Sequence, residues 1–140
     1  MKKILAMAAS AVIAASTMTA MAGNPLVEPY TSKYEIPPFE QIKTSDFIPA
    51  IKAGIEEQEQ NLANILRNRA TPDFDNTILP LENISPILEK VASVFYHYDS
   101  CMKTPEFAAM AEEAIPLLND AQNKVMLNQQ LFDRIKQVYD

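Results

Sequence analysis

His97 and Cys101 are the one pair of residues in this chain whose types and spacing suggest catalysis. They lie four residues apart in "FYHYDSCM", so a helix would place them on one face, within reach of each other. A Cys–His dyad also needs a third group to orient the imidazole and donors for an oxyanion, and no glycine-rich turn supplies those donors. We therefore expect His97 at the edge of an apolar stripe and Cys101 as a small buried thiol.

Other catalytic motifs are missing from the sequence. A zinc hydrolase helix carries two histidines four residues apart with a glutamate between them, and this chain has one His and one Cys. The two glycines, Gly23 and Gly54, form no phosphate loop, and no serine lies in a G-x-S-x-G turn. Five clustered glutamates are typical of solvated helix faces: Glu56, Glu57, Glu59, Glu112 and Glu113. We predict no catalytic, cofactor-binding or metal-binding residue in this chain.

The first 22 residues have the three-part pattern of a secretory signal peptide. Lys2 and Lys3 form a positive region, residues 4–15 are apolar, and residues 20–22 (Ala-Met-Ala) make a small-x-small cleavage site. The apolar run is shorter than the roughly 20 residues that span a bilayer. We expect residues 1–22 to be removed and the remaining chain to be exported, to the periplasm or beyond, with no membrane partner.

The charge balance argues against nucleic acid as a partner. The chain has 12 basic and 18 acidic residues, a net charge of −6. Without residues 1–22, which contain two lysines and no acid, ten basic residues oppose 18 acids and the net charge is −8. Nucleic-acid phosphates need a basic face. The single cysteine cannot form an internal disulfide, so a hydrophobic core must hold this exported chain together.

Residues 23–43 are predicted to be an extended, proline-rich arm. Four prolines within it bias their neighbours away from helix: Pro25, Pro29, Pro37 and Pro38. We expect four apolar side chains to anchor this arm on the core: Tyr30, Tyr34, Ile36 and Phe39.

Helical patterning begins at residue 44. Ser45 or Asp46 is the expected N-cap and Pro49 is expected in the first turn. Apolar residues then recur every three or four positions, with Gln58 in one slot of the stripe, as far as about Asn68. The stripe comprises Ile48, Ile51, Ile55, Leu62 and Ile65.

The stretch "PDFDNTILPLE" (residues 72–82) starts the second helix. Asp73 or Asp75 is expected to accept hydrogen bonds from free N–H groups at the helix start, and Phe74 to staple the turn onto the core. Pro86 is expected to kink or interrupt the helix. The apolar stripe comprises Leu81, Ile84, Leu88, Val91, Phe95, Tyr98 and Met102.

Two further helix starts complete the pattern. Thr104 is the expected N-cap of a third helix with Pro105 at its first position, and a fourth helix is expected to begin at Asn128. The third stripe comprises Phe107, Ala111, Ala114, Leu118, Ala121 and Val125. The fourth comprises Leu131, Phe132, Ile135, Val138 and Tyr139.

These patterns predict an all-α fold of long antiparallel helices over residues 44–140. No segment shows the alternation of a strand. Because the last stripe is still running at Asp140, we expect this helical domain to be part of a longer, truncated protein.

Three separated stretches resemble one family. They are "PPFEQIKTSDFIPAIKAGIEEQ", "PDFDNTILPLENISPILEKVASVF" and "LNQQLFDRIKQVYD". In this order and spacing they are similar to the N-terminal region of the thimet-oligopeptidase-like metallopeptidases, in the peptidyl-dipeptidase and oligopeptidase A branch. The matched positions in the second and third stretches include Asn76, Thr77, Arg134 and Ile135.

The resemblance implies a larger all-α zinc peptidase whose N-terminal helices help to wall a substrate channel for short peptides. It places the zinc ligands in a C-terminal catalytic region with no counterpart in these 140 residues. The partners implied are therefore that missing catalytic region and short peptide substrates, and this chain alone is expected to be inactive. The alternative is a stand-alone helical module that binds peptides or proteins without catalysis.

Overall fold

The computed structural model describes residues 23–140, and these residues form helices and connecting turns with no strand among them. The helices are α1 (Thr44–Arg67), α2 (Leu79–Glu82), α3 (Pro86–Cys101), α4 (Pro105–Met126) and α5 (Gln129–Tyr139). One π-helical turn, Phe74–Ile78, leads into α2. The prediction of an all-α fold is confirmed. Within residues 23–140, none of these helices is long and apolar enough to cross a bilayer. The signal peptide predicted over residues 1–22 lies outside the described residues.

The segment 23–43 contains no helix or strand, and its first residues hold it to the helices. Leu26 is fully buried. Asn24 accepts a hydrogen bond from the Leu26 N–H through Oδ1 (2.9 Å) and donates through Nδ2 to the carbonyl of Asp46 (2.9 Å). The prediction that Tyr34 and Ile36 anchor this arm is wrong, because both side chains are exposed.

A local turn explains why these two side chains face solvent. The hydroxyl of Ser32 accepts a hydrogen bond from the Ile36 N–H (2.6 Å), and Glu35 between them adopts a positive φ of 52°. The backbone therefore doubles back here instead of following the core. The alternation of prolines and aromatics predicted an extended path, whereas the polar side chain of Ser32 closes a turn.

Helix α1 begins with a different arrangement from the predicted one. Lys43 is the N-cap residue, and Asp46 accepts a hydrogen bond from its backbone N–H (2.8 Å) instead of capping the helix itself. Pro49 is the sixth residue of α1 and so lies beyond the first turn. It removes one backbone hydrogen bond from the helix, and its side chain lies on the exposed face.

The three long helices α1, α3 and α4 alternate in direction along the chain, as predicted. Phe47 near the start of α1 contacts Phe95 near the end of α3, with ring centroids 6.0 Å apart. Phe47 also contacts Phe107 at the start of α4, with centroids 5.3 Å apart, and Lys124 at the end of α4 pairs with Glu59 on α1. Helices α1 and α4 are therefore parallel to each other, with α3 antiparallel to both.

The main core lies between α1, α3 and α4. Its centre is aromatic: the rings of Phe47 and Phe107 meet edge to face at 88°, and those of Phe95 and Phe107 lie 5.3 Å apart. All three side chains are 1% exposed or less. Such aromatic pairs contribute about 0.5–1.5 kcal/mol beyond the burial of their area, so this cluster specifies how the three helices meet.

A second, smaller hydrophobic cluster joins α5 to the end of α1. Its buried members are Ile65, Ile84 and Leu131, and partly buried side chains around it include Val125 and Ile135. Within the predicted fourth stripe, Leu131 is buried, whereas Phe132 and Tyr139 are exposed. The buried face of α5 is therefore narrower than the sequence pattern predicted.

The break predicted at Pro86 is confirmed. Helix α2 ends at Glu82, and α3 starts with Pro86 at its first position, where a missing N–H costs little. Glu57 of α1 accepts a hydrogen bond from the Ile87 N–H (2.9 Å), which satisfies one free donor at the start of α3. Met102, predicted as the end of this stripe, lies beyond α3 and is exposed.

Gly54 sets the distance between α1 and α3. A Cβ atom at this position would lie 2.7 Å from both the Cα and the backbone N of Leu88. Real Cβ atoms do not approach backbone atoms so closely, and neither helix backbone can yield without moving the aromatic core. The absence of a side chain at Gly54 is therefore required for the packing of these helices.

We expect Gly54→Ala to destabilise the fold even though alanine is the better helix former. Overpacking a closed core costs about 1–3 kcal/mol, which exceeds the gain in helix propensity of about 1 kcal/mol. Urea unfolding followed by circular dichroism measures the change. Asn64→Ala, at an exposed position of the same helix, is the matched control and should stay within about 0.5 kcal/mol of wild type. An unchanged or raised stability in Gly54→Ala would contradict the close approach.

Tyr98 joins the proline-rich arm to α3. Its hydroxyl donates a hydrogen bond to the carbonyl of Phe39 (3.1 Å), and the two rings lie 6.1 Å apart. Burial raises the pKa of Tyr98 above the ordinary tyrosine value. The folded state therefore holds the phenol proton more tightly than the unfolded chain does.

This raised pKa predicts a loss of stability in alkali. The stabilisation is complete below the ordinary tyrosine pKa of about 10 and is lost as the pH rises through the folded-state pKa. We expect the free energy of unfolding to fall above about pH 10 and to fall less steeply in Tyr98→Phe, as measured by urea unfolding across that range. Tyr30, whose pKa is also raised by burial, contributes to the fall that remains. Tyr96→Phe, at an exposed position, is the control; an identical slope in wild type and Tyr98→Phe would refute the assignment.

Candidate functional site

The structure gives His97 and Cys101 no catalytic geometry. Both side chains are exposed, and His97 packs its ring against Phe39 with centroids 5.4 Å apart. No hydrogen bond joins the two residues in the described part of the chain. The expectation of a buried thiol at Cys101 is wrong, because the position four residues after His97 faces away from the core, at the end of α3.

The clustered glutamates make structural contacts on the helix surfaces. Glu59 accepts a hydrogen bond from the ammonium of Lys124, which raises the pKa of Lys124. Glu113 lies 3.7 Å from the ammonium of Lys52, and this pair also joins α1 to α4. Within residues 23–140, no group of three or more His, Cys, Asp or Glu side chains is placed to hold a metal ion.

The most unusual side chain in the described structure is Arg134 on α5, which is only 9% exposed. Its guanidinium donates hydrogen bonds to three acceptors from the segment between α1 and α2. The donors and acceptors are Nε to Oγ1 of Thr77 (3.0 Å), Nη1 to the carbonyl of Asn68 (2.9 Å) and Nη2 to Oδ1 of Asn76 (2.8 Å). Arg134 therefore fastens the last helix to the connection that follows α1.

The turn at residues 72–78 presents two of these acceptors, the side chains of Asn76 and Thr77. Asp73 is its N-cap and accepts a hydrogen bond from the Asn76 N–H (2.8 Å), which confirms one of the two predicted caps. Asn76 Oδ1 accepts in return from the Asp73 N–H (3.2 Å) and from the hydroxyl of Thr77 (2.8 Å). Thr77 is fully buried. The prediction that Phe74 staples this turn to the core is wrong, since its side chain is 58% exposed.

The π-helical geometry of this turn explains the outward position of Phe74. The helix makes one wide turn over Phe74–Ile78 before α2 begins. In a π-helical turn the hydrogen bonds join residues five apart, so successive side chains are spaced differently around the axis than in an α-helix. Thr77 is consequently turned inwards beneath Arg134, and Phe74 is turned outwards.

The sequence contained a signal for Arg134 that the stripe analysis missed. Leu131, Arg134, Ile135 and Val138 follow the spacing of three, four and seven residues that marks one helix face. A charged residue inside such a face indicates either a break in the stripe or a buried polar contact. The structure shows the second, because Leu131 is buried on one side of Arg134 and Ile135 is partly buried on the other.

An open cleft of about 570 Å³ lies beside this cluster. Arg69 and Asp133 line it together with Arg134, and the other lining residues are mainly polar. Asp133 accepts a hydrogen bond from Nε2 of Gln129 (2.7 Å). Arg69 and Arg134 give the cleft positive charge, and its lining includes no Cys or His.

We expect Thr77→Val to destabilise the fold although the two side chains have nearly the same shape. The substitution removes the acceptor for Arg134 Nε and leaves a charged donor buried without its partner, which costs about 1–3 kcal/mol. Urea unfolding measures the loss, and Thr71→Val, at an exposed position, is the matched control. A double-mutant cycle with Arg134→Met should give a coupling energy of about 0.5–3 kcal/mol. If the two single substitutions lower the free energy of unfolding by amounts that simply add in the double mutant, the contact between Thr77 and Arg134 does not stabilise the fold.

Comparison with known proteins identifies relatives along most of the chain, although no protein-family model matches it. The dipeptidyl carboxypeptidase of Escherichia coli (strain K12) is 34% identical over 122 residues, which cover 87% of this chain and 18% of the relative. The dipeptidyl carboxypeptidase of Salmonella typhimurium is 31% identical over 119 residues, or 85% of this chain and 18% of the relative. Oligopeptidase A of Escherichia coli is 25% identical over 117 residues, which cover 84% of this chain and 17% of the relative.

The chain thus spans about 18% of the length of the dipeptidyl carboxypeptidases that it matches. The matched region is the N-terminal part of these relatives. Two of the three stretches on which the family resemblance rests meet at Arg134, which comes from the third stretch and binds Asn76 and Thr77 of the second. The chain is homologous to the N-terminal part of dipeptidyl carboxypeptidase and oligopeptidase A, members of the thimet oligopeptidase family, and the resemblance predicted from its motifs is confirmed.

Proposed function

We propose that this chain is the N-terminal helical domain of an exported zinc metallopeptidase that hydrolyses oligopeptides, and that its helices form part of the wall of the substrate channel. The observation that carries the proposal is the identity of 34% over 122 residues with the N-terminal part of dipeptidyl carboxypeptidase. The names of the relatives describe the removal of dipeptides and the cleavage of oligopeptides. Short peptides are therefore the proposed substrate class of the whole protein.

The distribution of apolar side chains supports a domain that packs against further protein. Four large apolar residues near the end of α4 and on α5 are strongly exposed: Met126 (72%), Leu127 (79%), Phe132 (60%) and Tyr139 (79%). Scattered apolar residues are common on protein surfaces, whereas a group of large ones on neighbouring turns marks an interaction surface. In the proposed protein, the catalytic region covers this surface.

The zinc implied by the family resemblance is proposed for the whole protein and not for this domain. The described residues 23–140 offer no set of ligands that fits a zinc ion, since zinc sites need three or four nitrogen, sulfur or carboxylate ligands in close array. We therefore assign no step of peptide hydrolysis to residues of this chain. Its contribution is to hold a shaped surface beside the site of reaction.

A chimaera with a relative tests this proposal. The 140-residue chain replaces the segment of the Escherichia coli dipeptidyl carboxypeptidase that it matches, and hydrolysis of a blocked tripeptide is measured. We expect kcat/KM within about tenfold of the relative, a loss of no more than about 1.4 kcal/mol in transition-state stabilisation. The 140-residue chain alone should show no hydrolysis with added zinc. To test export, the location of the chimaera is measured: osmotic shock should release its peptidase activity from the cells. Deletion of residues 1–22 should keep that activity inside the cells.

The controls separate misfolding from a wrong assignment. The relative without the matched segment is the negative control, and circular dichroism and zinc content show that the chimaera is folded and loaded. A folded, zinc-loaded chimaera as inactive as the negative control would overturn the proposed domain role. Hydrolysis by the 140-residue chain alone would overturn the proposal that the catalytic residues lie outside it. Activity retained inside cells when residues 1–22 are present would overturn the proposal of export.

A further inference from the structure

Arg134 forms no ion pair within 4.0 Å in the described structure. Its three acceptors are a hydroxyl, an amide oxygen and a backbone carbonyl, all of them neutral. The ion pairs among residues 23–140 join Lys52 to Glu113, Lys103 to Asp99 and Lys124 to Glu59, and none of them includes Arg134. A charge that is nine-tenths buried is costly unless an opposite charge lies close to it.

The guanidinium of Arg134 also has hydrogen-bonding capacity to spare. It carries five N–H donors in a rigid planar fork, and the contacts to Thr77, Asn68 and Asn76 use one donor each from Nε, Nη1 and Nη2. One donor remains on each of the two terminal nitrogens. The three neutral contacts hold the fork in place, so its orientation is set before any ligand arrives.

The cleft beside Arg134 is locally positive in an acidic protein. Arg69 and Arg134 line it with one carboxylate, that of Asp133, which leaves one net positive charge, whereas the chain as a whole carries −6. Arg69 is exposed and forms no ion pair among the described residues. A single positive charge and a planar fork match a planar monoanion better than a tetrahedral dianion.

We propose that this cleft binds a carboxylate group, held by Arg134 from within and Arg69 from the rim. Two sources share this chemistry: the C-terminal carboxylate of a short peptide, and an acidic side chain from another part of the polypeptide. The Arg–carboxylate interaction combines charge and hydrogen bonds, whereas Asp133 at the rim repels more highly charged anions. The inference rests on residues 23–140 alone and is independent of the proposed peptidase function.

Nuclear magnetic resonance of the ¹⁵N-labelled 140-residue chain tests the proposal. The probes are N-acetyl-dialanine, which has a C-terminal carboxylate, N-acetyl-glutamate α-amide, whose only carboxylate is on its side chain, and N-acetyl-dialanine amide, which has none. We expect both acids to shift the Nε–Hε resonances of Arg69 and Arg134 with a Kd of the order of 1 mM. The amide should shift neither resonance. Tighter binding of the first acid identifies a peptide C-terminus as the source, and tighter binding of the second identifies an acidic side chain.

Substitutions then assign the site. Arg69→Gln should weaken binding about tenfold, the loss of about 1.4 kcal/mol, and Arg67→Gln is the matched control because this exposed arginine does not line the cleft. Arg134→Gln should abolish binding, provided that circular dichroism shows that this variant is folded. If Arg134→Gln unfolds, the result for Arg69→Gln decides the test. Failure of both acids to shift either resonance, or equal affinity in Arg69→Gln and wild type, would overturn the proposal. A shift caused equally by the amide would do the same.

Discussion

The close approach of α1 and α3 at Gly54 is the contact on which the rest of the domain depends. Because position 54 has no side chain, the backbone of Leu88 can lie directly against α1. That approach brings Phe95 of α3 beside Phe47 of α1, and Phe107 of α4 then closes the aromatic cluster over both. A larger separation between the helices would leave these rings without close partners. Dispersion attraction falls steeply when atoms lie even about 0.5–1 Å beyond contact distance, so part of the packing energy of the cluster would be lost.

The polar cluster around Arg134 fixes the position of α5 at the other end of α1. The second hydrophobic cluster has only three fully buried members, Ile65, Ile84 and Leu131, which is a small area with which to fix a whole helix. Arg134 adds three directional hydrogen bonds from α5 to the segment after α1. Buried polar networks of this kind are costly if incomplete but define one arrangement when their acceptors are all in place. The register of α5 is therefore set by hydrogen bonds as much as by apolar burial.

The stretches that carry the resemblance to the thimet oligopeptidase family contain Gly54, the Asn76–Thr77 pair and Arg134, and each of these residues positions a helix. The domain thus gives the chain a rigid frame, and four of its exposed large apolar residues lie at the end of α4 and on α5: Met126, Leu127, Phe132 and Tyr139. A frame of this kind suits a domain that contributes surface, and not reacting groups, to a larger protein.

Local chemistry in the sequence was sufficient to determine the helices and most of their boundaries. Thr104, Asn128 and Asp73 accept hydrogen bonds from free N–H groups at the starts that their positions predicted, and Pro86 interrupts the chain where its missing N–H required. These outcomes depend on interactions within a few residues, so the sequence alone contains them.

Only the tertiary structure decided which side chains face inwards where the local geometry departs from a regular helix. Phe74, predicted to staple the turn onto the core, is exposed, and Thr77 is buried in the same π-helical turn. Tyr34 and Ile36 are exposed because Ser32 closes a turn. Arg134 is buried because its acceptors come from Asn68, Asn76 and Thr77, which lie 57 to 66 positions before it in the chain. Contacts between residues so far apart in sequence exist only after the helices have packed, so periodicity along the chain could not predict them.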